Sequence, residues 1–593
     1  MEIKNFLKGG EFLINPVNNS TSFIPEEFSD EQKMIAQMCQ EFLEKEVFPN
    51  LDRIDAQEKG LMPELLKKTG ELGLLALSIP EEYGGYGQSF VTSMIAADYL
   101  GAGHSYAVAY SADTGIGALP LLYYGSEELK QKYLPKIATG ELLTAYCLTE
   151  PGAGSDANSG KTRAKLSEDG KYYVLNGQKM WITNGGFADL LTVFAKVEDD
   201  KILSCFLVER NTPGITFGNE EHKMGIKGSS TVQIFFNDCK VPVENMIGKR
   251  GEGFRIALNI LHIGRIKLGA NVIGSMKQAI NHSVKYANER KQFNQLICNF
   301  GAIKFKLAEQ VIKTFANESA LYRTAAYVDE MINEVVASGK KKEHAYLDAL
   351  GEYAMEAAIL KVFGSEALDY IVDEAVQIHG GMGYSAEMPV DRCYRDSRIN
   401  RIFEGTNEIN RLVIADQYLK LAKKSDSPIF NIAKDLYANI DNIPVTTFNG
   451  DYFDNKAKVI ENIKKAIILT QYCAYEKLGK QYSTEQEVMM NIADMIIQLF
   501  VLESLFLRVK KLENIKTESE YVVYKDILDA FTQEAALEVY NSGINAILAF
   551  SNGDEYNKLH KALFNFTQTE PVNVKEARRR IAKKLIEDNI YRF

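Results

Sequence analysis

Apolar residues recur at helical spacing in the first quarter of the chain. Ile35, Met38 and Phe42 lie three or four positions apart, a period typical of an amphipathic helix. A second helical run follows from Pro63 to Leu74, and the stretch GLLALSIPEEYGGYGQ then interrupts the period with proline and paired glycines, which indicates a loop. The pattern predicts an N-terminal helical domain over residues 28–141.

The periodicity changes between residues 142 and 250. Short runs such as LLTAYCLT, KMWIT, LLTVFAKV and TVQIFF are rich in β-branched and aromatic residues and are bounded by turn residues, as β-strands are. The dipeptide Asn176-Gly177 stands between YYVL and QKMWIT, and it favours a two-residue hairpin, because a type I′ turn needs positive φ at both central positions. This block is predicted to be a middle β domain with a hairpin turn at that dipeptide.

Helical periodicity returns after the β block and persists with one break. Ile303, Leu307 and further apolar residues at the same spacing form one stripe, and long helices joined by short loops are typical of a four-helix bundle. We predict this bundle over residues 251–424. Serine, proline, asparagine and glycine are frequent over residues 425–454, which predicts a linker. A helical extension is predicted over residues 455–593.

Composition excludes several classes of protein. The 593 residues are 46% hydrophobic and 25% charged, with a formal net charge of −11, which argues against disorder and against nucleic-acid binding through phosphate contacts. The best candidate for a membrane span, Met495–Val509, contains Glu503 and is predicted to be an amphipathic helix. Seven cysteines without CxxC or HExxH spacing support neither disulfides nor a metal site. The N-terminal stretch MEIKNFLKGGEFLINP shows no export or transit pattern, so we expect a cytoplasmic protein.

The segment Thr149–Ala157 (TEPGAGSDA) is the first candidate for ligand binding. Its glycines formally match a dinucleotide fingerprint, but that fingerprint needs a following helix whose N-terminus meets the pyrophosphate. The residues that follow, KTRAKLSEDGKYYVLNGQ, have the texture of strands, so binding of a nicotinamide dinucleotide is rejected. The segment still offers backbone N–H groups and the hydroxyls of Thr149 and Ser155 to a polar ring edge or a phosphate.

Each of four further motifs has two interpretations, one as a site of specific chemistry and one as ordinary structure. KMWITNG contains the only tryptophan, Trp181, which either stacks beside an aromatic cofactor or fills the core or an interface. ERKQF ends a long helical run, where Arg290 pairs with a diphosphate or lies in a solvated charged turn. QIHGGMGY contains glycines that allow close approach of a ligand, and His379, which taken alone is a structural histidine. RIFEGTNEINR contains Glu404, either a general base with a raised pKa or a surface glutamate.

Taken together and in this order, YCLTEPGAGSD, KMWITNG, ERKQF, QIHGGMGY and FEGTNEINR resemble the acyl-CoA dehydrogenase family. The resemblance covers Ser29 to Ala422, and the helical extension after Ser425 resembles that of the very-long-chain branch. It implies a mainly α fold with a central β domain: N-terminal helices, a β-barrel-like middle domain, a four-helix bundle and an extra C-terminal helical domain. It also implies FAD as cofactor, an acyl-CoA substrate and a homodimer, because in that branch the extension covers the surface through which shorter relatives form tetramers.

The resemblance also assigns residues by motif. In the family, FAD lies between the β domain and the bundle, and its adenosine diphosphate half crosses a subunit interface. The positions implied to contact FAD are Tyr146, Leu148, Thr149, Gly154, Ser155, Trp181, Ile182, Thr183, Arg290, Gln292, Phe300, Gln377, Gly380, Gly381, Thr406 and Asn407. Ser155 is also implied to contact the acyl thioester, and Arg265 to contact acyl-CoA. The chain departs from the family pattern at Gly301, where many relatives have glutamine, and at His262, where relatives often have an acid or an amide.

Glu404 matches the family's general base. A thioester α-proton is weakly acidic, so a base must act while the carbonyl is polarised, and hydride from the β-carbon passes to the flavin to give a trans-2-enoyl-CoA. Some branches supply the base from the first bundle helix, but the corresponding residues, Ile263 and Gly264, cannot accept a proton. Electron-transfer flavoprotein is the implied acceptor. Two alternatives stay open: an acyl-CoA oxidase that uses oxygen, and a respiratory-complex assembly factor with residual dehydrogenase activity.

Acyl length is not specified by any motif. The segment DTGIGALPLL resembles the helix that floors the acyl pocket, where Gly115 and Gly117 would leave room, and together with the extension this favours long-chain substrates. The basic residues near the C-terminus are Lys575, Arg578, Arg579, Arg580, Lys583 and Lys584. The plainer interpretation of this helix is a solvated charged face, and the alternative is a weak peripheral contact with an anionic membrane.

Overall fold

The computed structural model describes residues 6–593. The first five residues belong to the stretch assessed above for an export signal, and they lie outside the described residues. The N-terminal helices are α1 (Asp30–Phe42), α2 (Leu51–Asp55), α3 (Leu61–Glu71), α4 (Phe90–Leu100), α5 (Ser105–Ser111), α6 (Leu119–Tyr124) and α7 (Glu127–Ala138). A π-helical turn, Ala112–Gly117, joins α5 to α6.

Serine caps begin several of these helices. The Ser29 hydroxyl accepts a hydrogen bond from the backbone N–H of Gln32, whose side chain bonds back to Ser29, which is a capping box. Ser89 and Ser126 cap α4 and α7 in the same way, without the reciprocal bond. Each cap satisfies an N–H group that the helix leaves unpaired, so these helix starts follow from local sequence.

The middle domain is a single sheet with β1 attached at one side. Its strands are β1 (Thr144–Cys147), β2 (Arg163–Leu166), β3 (Tyr172–Thr183), β4 (Leu190–Val197), β5 (Leu203–Glu209), β6 (Ile215–Phe217), β7 (Thr231–Pro242) and β8 (Met246–Ile247). The strand order is β6-β7-β3-β2-β4-β5-β8, and β1 pairs in parallel with β4. The domain has its own apolar core between this sheet's buried side chains.

The hairpin predicted at Asn176-Gly177 is wrong. Strand β3 runs straight through the dipeptide and pairs with β2 on one side and β7 on the other. The register against β7 shifts between Leu175 and Gly177, which is a β-bulge. Gly177 has a φ of 153°, and a Cβ there would lie 2.5 Å from the hydroxyl of Thr162. The glycine therefore serves a close approach between neighbouring backbones and not a chain reversal.

Long helices follow the β domain. They are α8 (Gly253–Glu289), α9 (Gly301–Ala337), α10 (Lys342–Glu352), α11 (Ala354–His379), α12 (Pro389–Ser397) and α13 (Asn407–Ala422), and a small hairpin, β9 (Lys291–Gln292) and β10 (Gln295–Leu296), joins α8 to α9. Helices α8, α9, α11 and α13 pack into the bundle. Helix α8 is long and apolar enough to cross a membrane by length and composition, but 72% of its most apolar window is buried within the protein.

The extension consists of α14 (Ile429–Ala438), α15 (Tyr452–Leu478), α16 (Gln486–Leu512), α17 (Glu518–Phe550), α18 (Gly553–Phe566) and α19 (Val574–Asp588). Helix α14 lies inside the segment predicted as a linker, and it packs against α15 with Ile429 and Ala433 buried. Helix α16 packs against α13 and α9, and α19 packs against α9. Extension and bundle share one apolar core, and the predicted fold class, mainly α with a central β domain, is confirmed.

The segment Met495–Val509 of α16 is not amphipathic as predicted, because nearly every side chain in it is buried. Its charged residues are paired inside the protein. Glu503 lies 2.6 Å from the guanidinium of Arg323 on α9, and Arg508 lies 2.6 Å from Glu318 on the same helix. Charges are tolerated in a core when a partner and hydrogen bonds compensate them, so a charged residue does not mark the exposed face of this helix.

The chain before α1 also packs against distant helices. Phe12 contacts Phe500 of α16 edge to face at 4.8 Å, and the backbone N–H of Val17 donates to Glu461 of α15 at 2.8 Å. No periodic pattern predicts this contact, because residues 6–29 contain only short 3₁₀ turns.

Candidate active site

Glu404 lies in a tightly held loop just before α13. Its backbone is left-handed, with a φ of 59°, a conformation that costs energy for any residue with a side chain. Arg265 of α8 donates to the Glu404 carbonyl at 3.1 Å, and the Asn410 amide donates to the Gly405 carbonyl at 2.9 Å. Thr406 caps α13 by accepting from the backbone of Ile409. These bonds fix the glutamate in a strained conformation, which is typical of functional residues.

The Glu404 carboxyl group is buried against α8. Its Oε2 atom has no hydrogen-bond partner among the described residues. A Cβ at Gly264 would lie 2.7 Å from that atom, so glycine at this position of α8 makes room for the carboxyl. Burial raises the pKa of Glu404 to about 7, although the nearby Arg265 and Lys361 cations act in the opposite direction. A carboxyl with this pKa is suited to proton transfer near neutral pH.

The Glu404 side chain opens into a partly enclosed cavity between α5, α8, α11 and α12. Its apolar lining includes Val108, Ala112, Leu268, Val272 and Phe403. Lys267, Asn271 and Ser275 of α8 also line it, and each is tied to the facing wall. Lys267 donates to the Thr114 hydroxyl at 2.5 Å, Asn271 to the Ser111 hydroxyl at 2.7 Å, and Ser275 to the Gly101 carbonyl at 2.8 Å. These three polar groups are thus held by the protein, and the apolar part of the lining can accept a hydrocarbon chain.

The two glycines predicted to leave room for an acyl group have different roles. Gly115 lines the cavity, and a Cβ there would meet only the end of Lys267, at 3.6 Å. Gly117 does not line it, and a Cβ there would lie 2.3 Å from the Thr144 hydroxyl. The prediction is therefore wrong for Gly117, which allows the π-helical turn to pack against β1.

The KMWITNG motif brings an aromatic side chain to the edge of the cavity. Trp181 has a φ of 60° and is 53% exposed, so it does not fill the core, and packing at an interface stays open as the plainer interpretation. Ile182 is buried and Thr183 lines the cavity with Glu404. The Asn184 amide donates to the Ala109 carbonyl of α5 at 3.0 Å, which anchors this end of β3 to the N-terminal helices.

The segment after β1 is tied to β3 beside the tryptophan. The buried Lys179 ammonium donates to the Leu148 carbonyl at 3.1 Å and pairs with Glu150 at 2.6 Å, and the Thr149 carbonyl accepts from the backbone N–H of Met180. Gly154 and Ser155 are exposed beyond it. The residues that follow form one short 3₁₀ turn and then β2, so no helix follows the glycines, in agreement with the rejected dinucleotide fingerprint.

The residues around Trp181 fit a flavin ring. The Tyr146 hydroxyl is buried and has no partner among the described residues, and burial raises the pKa of this phenol well above its usual value, so it stays a hydrogen-bond donor. The exposed indole of Trp181 offers a flat face, and Thr183, two residues further along β3, lines the cavity with Glu404. These three residues would hold the isoalloxazine of FAD, whose reaction is hydride transfer.

The ERKQF and QIHGGMGY motifs lie at the ends of α8 and α11, which meet away from the Glu404 cavity. Tyr286 of α8 stacks on His379 of α11 with ring centroids 4.2 Å apart, which joins the ends of the two helices. The residues of this region that the resemblance assigns to FAD are exposed or half-buried: Arg290, Gln292, Phe300, Gln377, Gly380 and Gly381. None of them lines the Glu404 cavity. Phe293 and Tyr384 are 87% and 93% exposed beside them, and large exposed aromatic residues mark an interaction surface.

The structure also places residues at the site that the motifs missed. Lys361 of α11 donates to the Asn407 side chain at 2.6 Å, and Lys267 lines the cavity. Burial lowers the pKa of both lysines to about 7. Each lysine interrupts an apolar run, as in AILKVFG around Lys361. A lysine in such a run is the one sequence signal that could have identified it.

Sequence profiles of the acyl-CoA dehydrogenase family match most of the chain. The N-terminal domain matches residues 29–141, the middle domain 145–239 and the C-terminal domain 251–419. A second profile, also described as an acyl-CoA dehydrogenase C-terminal domain, matches residues 462–563, within the extension.

Known proteins agree with these matches. A probable acyl-CoA dehydrogenase of Bacillus subtilis is 41% identical over 587 residues, 98% of each chain. The mitochondrial very long-chain specific acyl-CoA dehydrogenase of Rattus norvegicus is 41% identical over 396 residues, 65% of this chain and 57% of the relative. The crystal structure of an acyl-CoA dehydrogenase complexed with FAD from Bacillus anthracis aligns with a TM-score of 0.95 and 42% identity, covering 99% of this chain and all of that one. The chain therefore belongs to the acyl-CoA dehydrogenase family and is an FAD-dependent enzyme of that family.

Proposed function

We propose that the protein oxidises long-chain acyl-CoA to trans-2-enoyl-CoA, with Glu404 as the base that removes the α-proton. The observation that supports this role is the buried Glu404 carboxyl, whose Oε2 is unpartnered at the edge of a large cavity. Arg265 holds the backbone of the base, and Gly264 leaves space beside its carboxyl. When bound, FAD supplies the acceptor for the β-hydride.

The length of the cavity supports a long acyl chain. Its lining follows α8 from Gly264, beside the base, to Gln278, and fourteen residues of helix span about 21 Å. That distance far exceeds the length of a butyryl group. Glu404 would therefore act at one end of the cavity while the hydrocarbon tail extends along α8.

A chain-length series tests this proposal. We expect the kcat/KM of the holoenzyme with a dye acceptor to rise from butyryl-CoA to palmitoyl-CoA. The Gly115→Leu variant should lose activity on the long substrate and keep it on the short one, because the new side chain fills the cavity beside Lys267. A maximum at butyryl-CoA would contradict the long-chain assignment, and no turnover of any acyl-CoA would contradict the proposed reaction.

Flavin reduction by acyl-CoA is expected to become faster as the pH rises through about 7. Burial raises the pKa of Glu404 to about 7, and only its carboxylate form accepts the α-proton, so the reactive fraction grows above that pH. Anaerobic rapid mixing at a series of pH values measures the effect. A rate that stays constant down to the ordinary carboxyl value of 4.5 would show that Glu404 is not the titrating base.

We propose electron-transfer flavoprotein as the electron acceptor, because the family resemblance implies it. Parallel assays with electron-transfer flavoprotein and with oxygen separate this acceptor from the alternative. Stoichiometric peroxide with little reduction of the flavoprotein would identify an acyl-CoA oxidase. Nothing in the described residues favours the assembly-factor alternative over catalysis.

We further propose a homodimer in which the surface around Tyr286 and His379 faces the neighbouring subunit's cofactor. Arg290→Ala should lower FAD retention and weaken the dimer together, because the exposed guanidinium is free to pair with a diphosphate. A charge-assisted contact contributes about 1.5–3 kcal/mol, or a roughly 10- to 150-fold loss in FAD affinity. Dialysis followed by absorbance and gel filtration measures both effects. Lys291→Ala, the adjacent exposed cation, is the control, and equal FAD occupancy in both variants would contradict the assignment.

We propose that α19 packs against the protein and does not bind membranes. Arg578 pairs with Glu309 of α9 at 2.5 Å, and Arg580 with Asp526 of α17 at 2.6 Å. The other four basic side chains also lie within 4 Å of a carboxylate, which lowers the charge available to anionic lipid. Flotation with anionic vesicles at low salt should show no binding, and recovery in the lipid fraction would support the membrane contact instead.

A further inference from the structure

One arginine of the bundle links a carboxylate of the extension to a carboxylate of α11. Arg411 of α13 donates through Nε to Asp494 of α16 at 2.7 Å. Its two terminal nitrogens donate to both carboxyl oxygens of Glu366 on α11, at 2.8 and 2.9 Å. Arg411 therefore joins the extension to the bundle, with its planar donors divided between two carboxylates. Such bidentate geometry fixes the orientation of both partners.

The same chain of bonds continues toward the active site. The side-chain Nδ2 of Asn407 donates to Glu366 at 2.9 Å, and the side-chain Oδ1 of Asn407 accepts from the Lys361 ammonium at 2.6 Å. Asn407 is 2% exposed and Lys361 is fully buried. Asn407 is the third residue after Glu404, so the chain of bonds ends at the loop that contains the base.

Two cations act on the Glu404 carboxyl. Arg265 of α8 and Lys361 of α11 interact with it, Tyr146 of β1 is also close to it, and His262 of α8 lies beside Arg265. The pKa of His262 is lowered to about 3 by burial and by Arg265, and burial raises the pKa of Tyr146, so both are neutral. Arg265 favours the carboxylate, and so does Lys361 while it is protonated, because burial lowers the pKa of this lysine to about 7. Arg265 is held by the Glu404 loop itself, whereas the hydrogen bond that holds the Lys361 ammonium is the one to Asn407.

We infer that Asp494 of the extension is a positioning residue for the catalytic base: through Arg411, Glu366 and Asn407 it holds the Lys361 ammonium beside Glu404. The inference rests on the proposed role of Glu404 as base. Without the Asp494 carboxylate, Arg411 loses one of its two charged anchors, and the partly exposed pair with Glu366 constrains Asn407 less, which leaves Ser365 of α11 as its other side-chain partner. The extension thus contributes to catalysis from a helix that does not line the cavity.

Asp494→Asn in the full-length holoenzyme tests this inference, because the amide keeps the size of the side chain and replaces the charge-assisted bond to Arg411 with a weaker neutral one. We expect anaerobic flavin reduction by acyl-CoA to be about 2- to 30-fold slower at neutral pH, the range typical of coupling between separated sites. The pH at which reduction reaches half its maximum should rise, because a loosely held Lys361 stabilises the carboxylate less. Loss of a remote negative charge by itself would lower that pH, so the direction of the shift separates positioning from a long-range field.

Glu534→Gln is the matched control. Glu534 of α17 pairs with Lys313 of α9, so this pair also joins the extension to the bundle and is also partly exposed. Among the described residues, however, no chain of hydrogen bonds leads from Glu534 to the Glu404 loop. This variant should keep the wild-type rate and pH profile. Lys361→Met should raise the half-maximal pH further, and adding Asp494→Asn to it should have little additional effect, since the two act through one chain of bonds.

Equal rates and pH profiles for the Asp494→Asn and Glu534→Gln variants would overturn the inference. Independent, additive effects of Asp494→Asn and Lys361→Met would overturn it as well. Failure of the proposed function is distinguished by the wild-type protein, whose flavin would then not be reduced by any acyl-CoA at any pH.

Discussion

Glu404→Gln is expected to slow flavin reduction by acyl-CoA about 10²- to 10⁴-fold, the contribution typical of a general base. The amide is nearly the same size as the carboxyl, so it fits beside Gly264, where a Cβ would lie only 2.7 Å from Oε2. It cannot accept the α-proton. The variant should therefore keep its FAD and stay yellow when mixed anaerobically with palmitoyl-CoA, and rapid mixing measures the residual bleaching.

Glu408→Gln provides the control for this change. Glu408 lies in the first turn of α13, four residues after the base, and is exposed, so the same substitution there should leave the rate within about twofold of wild type. Rapid bleaching of the Glu404→Gln variant would show that another group removes the proton. Loss of FAD from this variant would show instead that Glu404 has a structural role at the site.

Removal of the extension at Ser425 is expected to make the remaining chain aggregate or form tetramers. The extension and the bundle share one apolar core, so truncation exposes a large apolar surface on α9 and α13. It also leaves Arg323 and Glu318 of α9 without Glu503 and Arg508, their buried partners. Gel filtration with light scattering measures the result, and a dimer with a sharp thermal transition would contradict it.

Glu503→Gln separates the charge effect from the loss of apolar cover. Glu503 is fully buried between Arg323 and Lys464, and removing one partner of a buried pair costs about 3–5 kcal/mol of the free energy of unfolding. Glu513→Gln, at the exposed end of α16, should change it by less than about 0.5 kcal/mol. Denaturant unfolding of the two full-length variants gives the comparison, and equal midpoints would show that the buried pair does not stabilise the contact between extension and bundle.

Local chemistry explains what the sequence by itself determined. Helical and alternating periods reflect which side of one element faces the core, and the Ser29 cap uses only groups within the same turn. The fold class, the family and the cofactor therefore followed from the chain alone, and so did the proposal of Glu404 as base. The motifs allow this proposal because each is a short contiguous segment that can be recognised without knowledge of the fold.

Tertiary structure decided whatever depends on neighbours distant in sequence. Asn176-Gly177 is a bulge because β3 is paired on both sides, and Gly117 packs against Thr144 of β1. Neither partner is visible in the local pattern. In the sequence, Lys361 and Asp494 cannot be distinguished from charged residues that are exposed to solvent. The roles that we infer for them depend on a chain of hydrogen bonds across three helices. Only the folded chain creates burial, and burial makes an isolated charge costly and a paired charge specific.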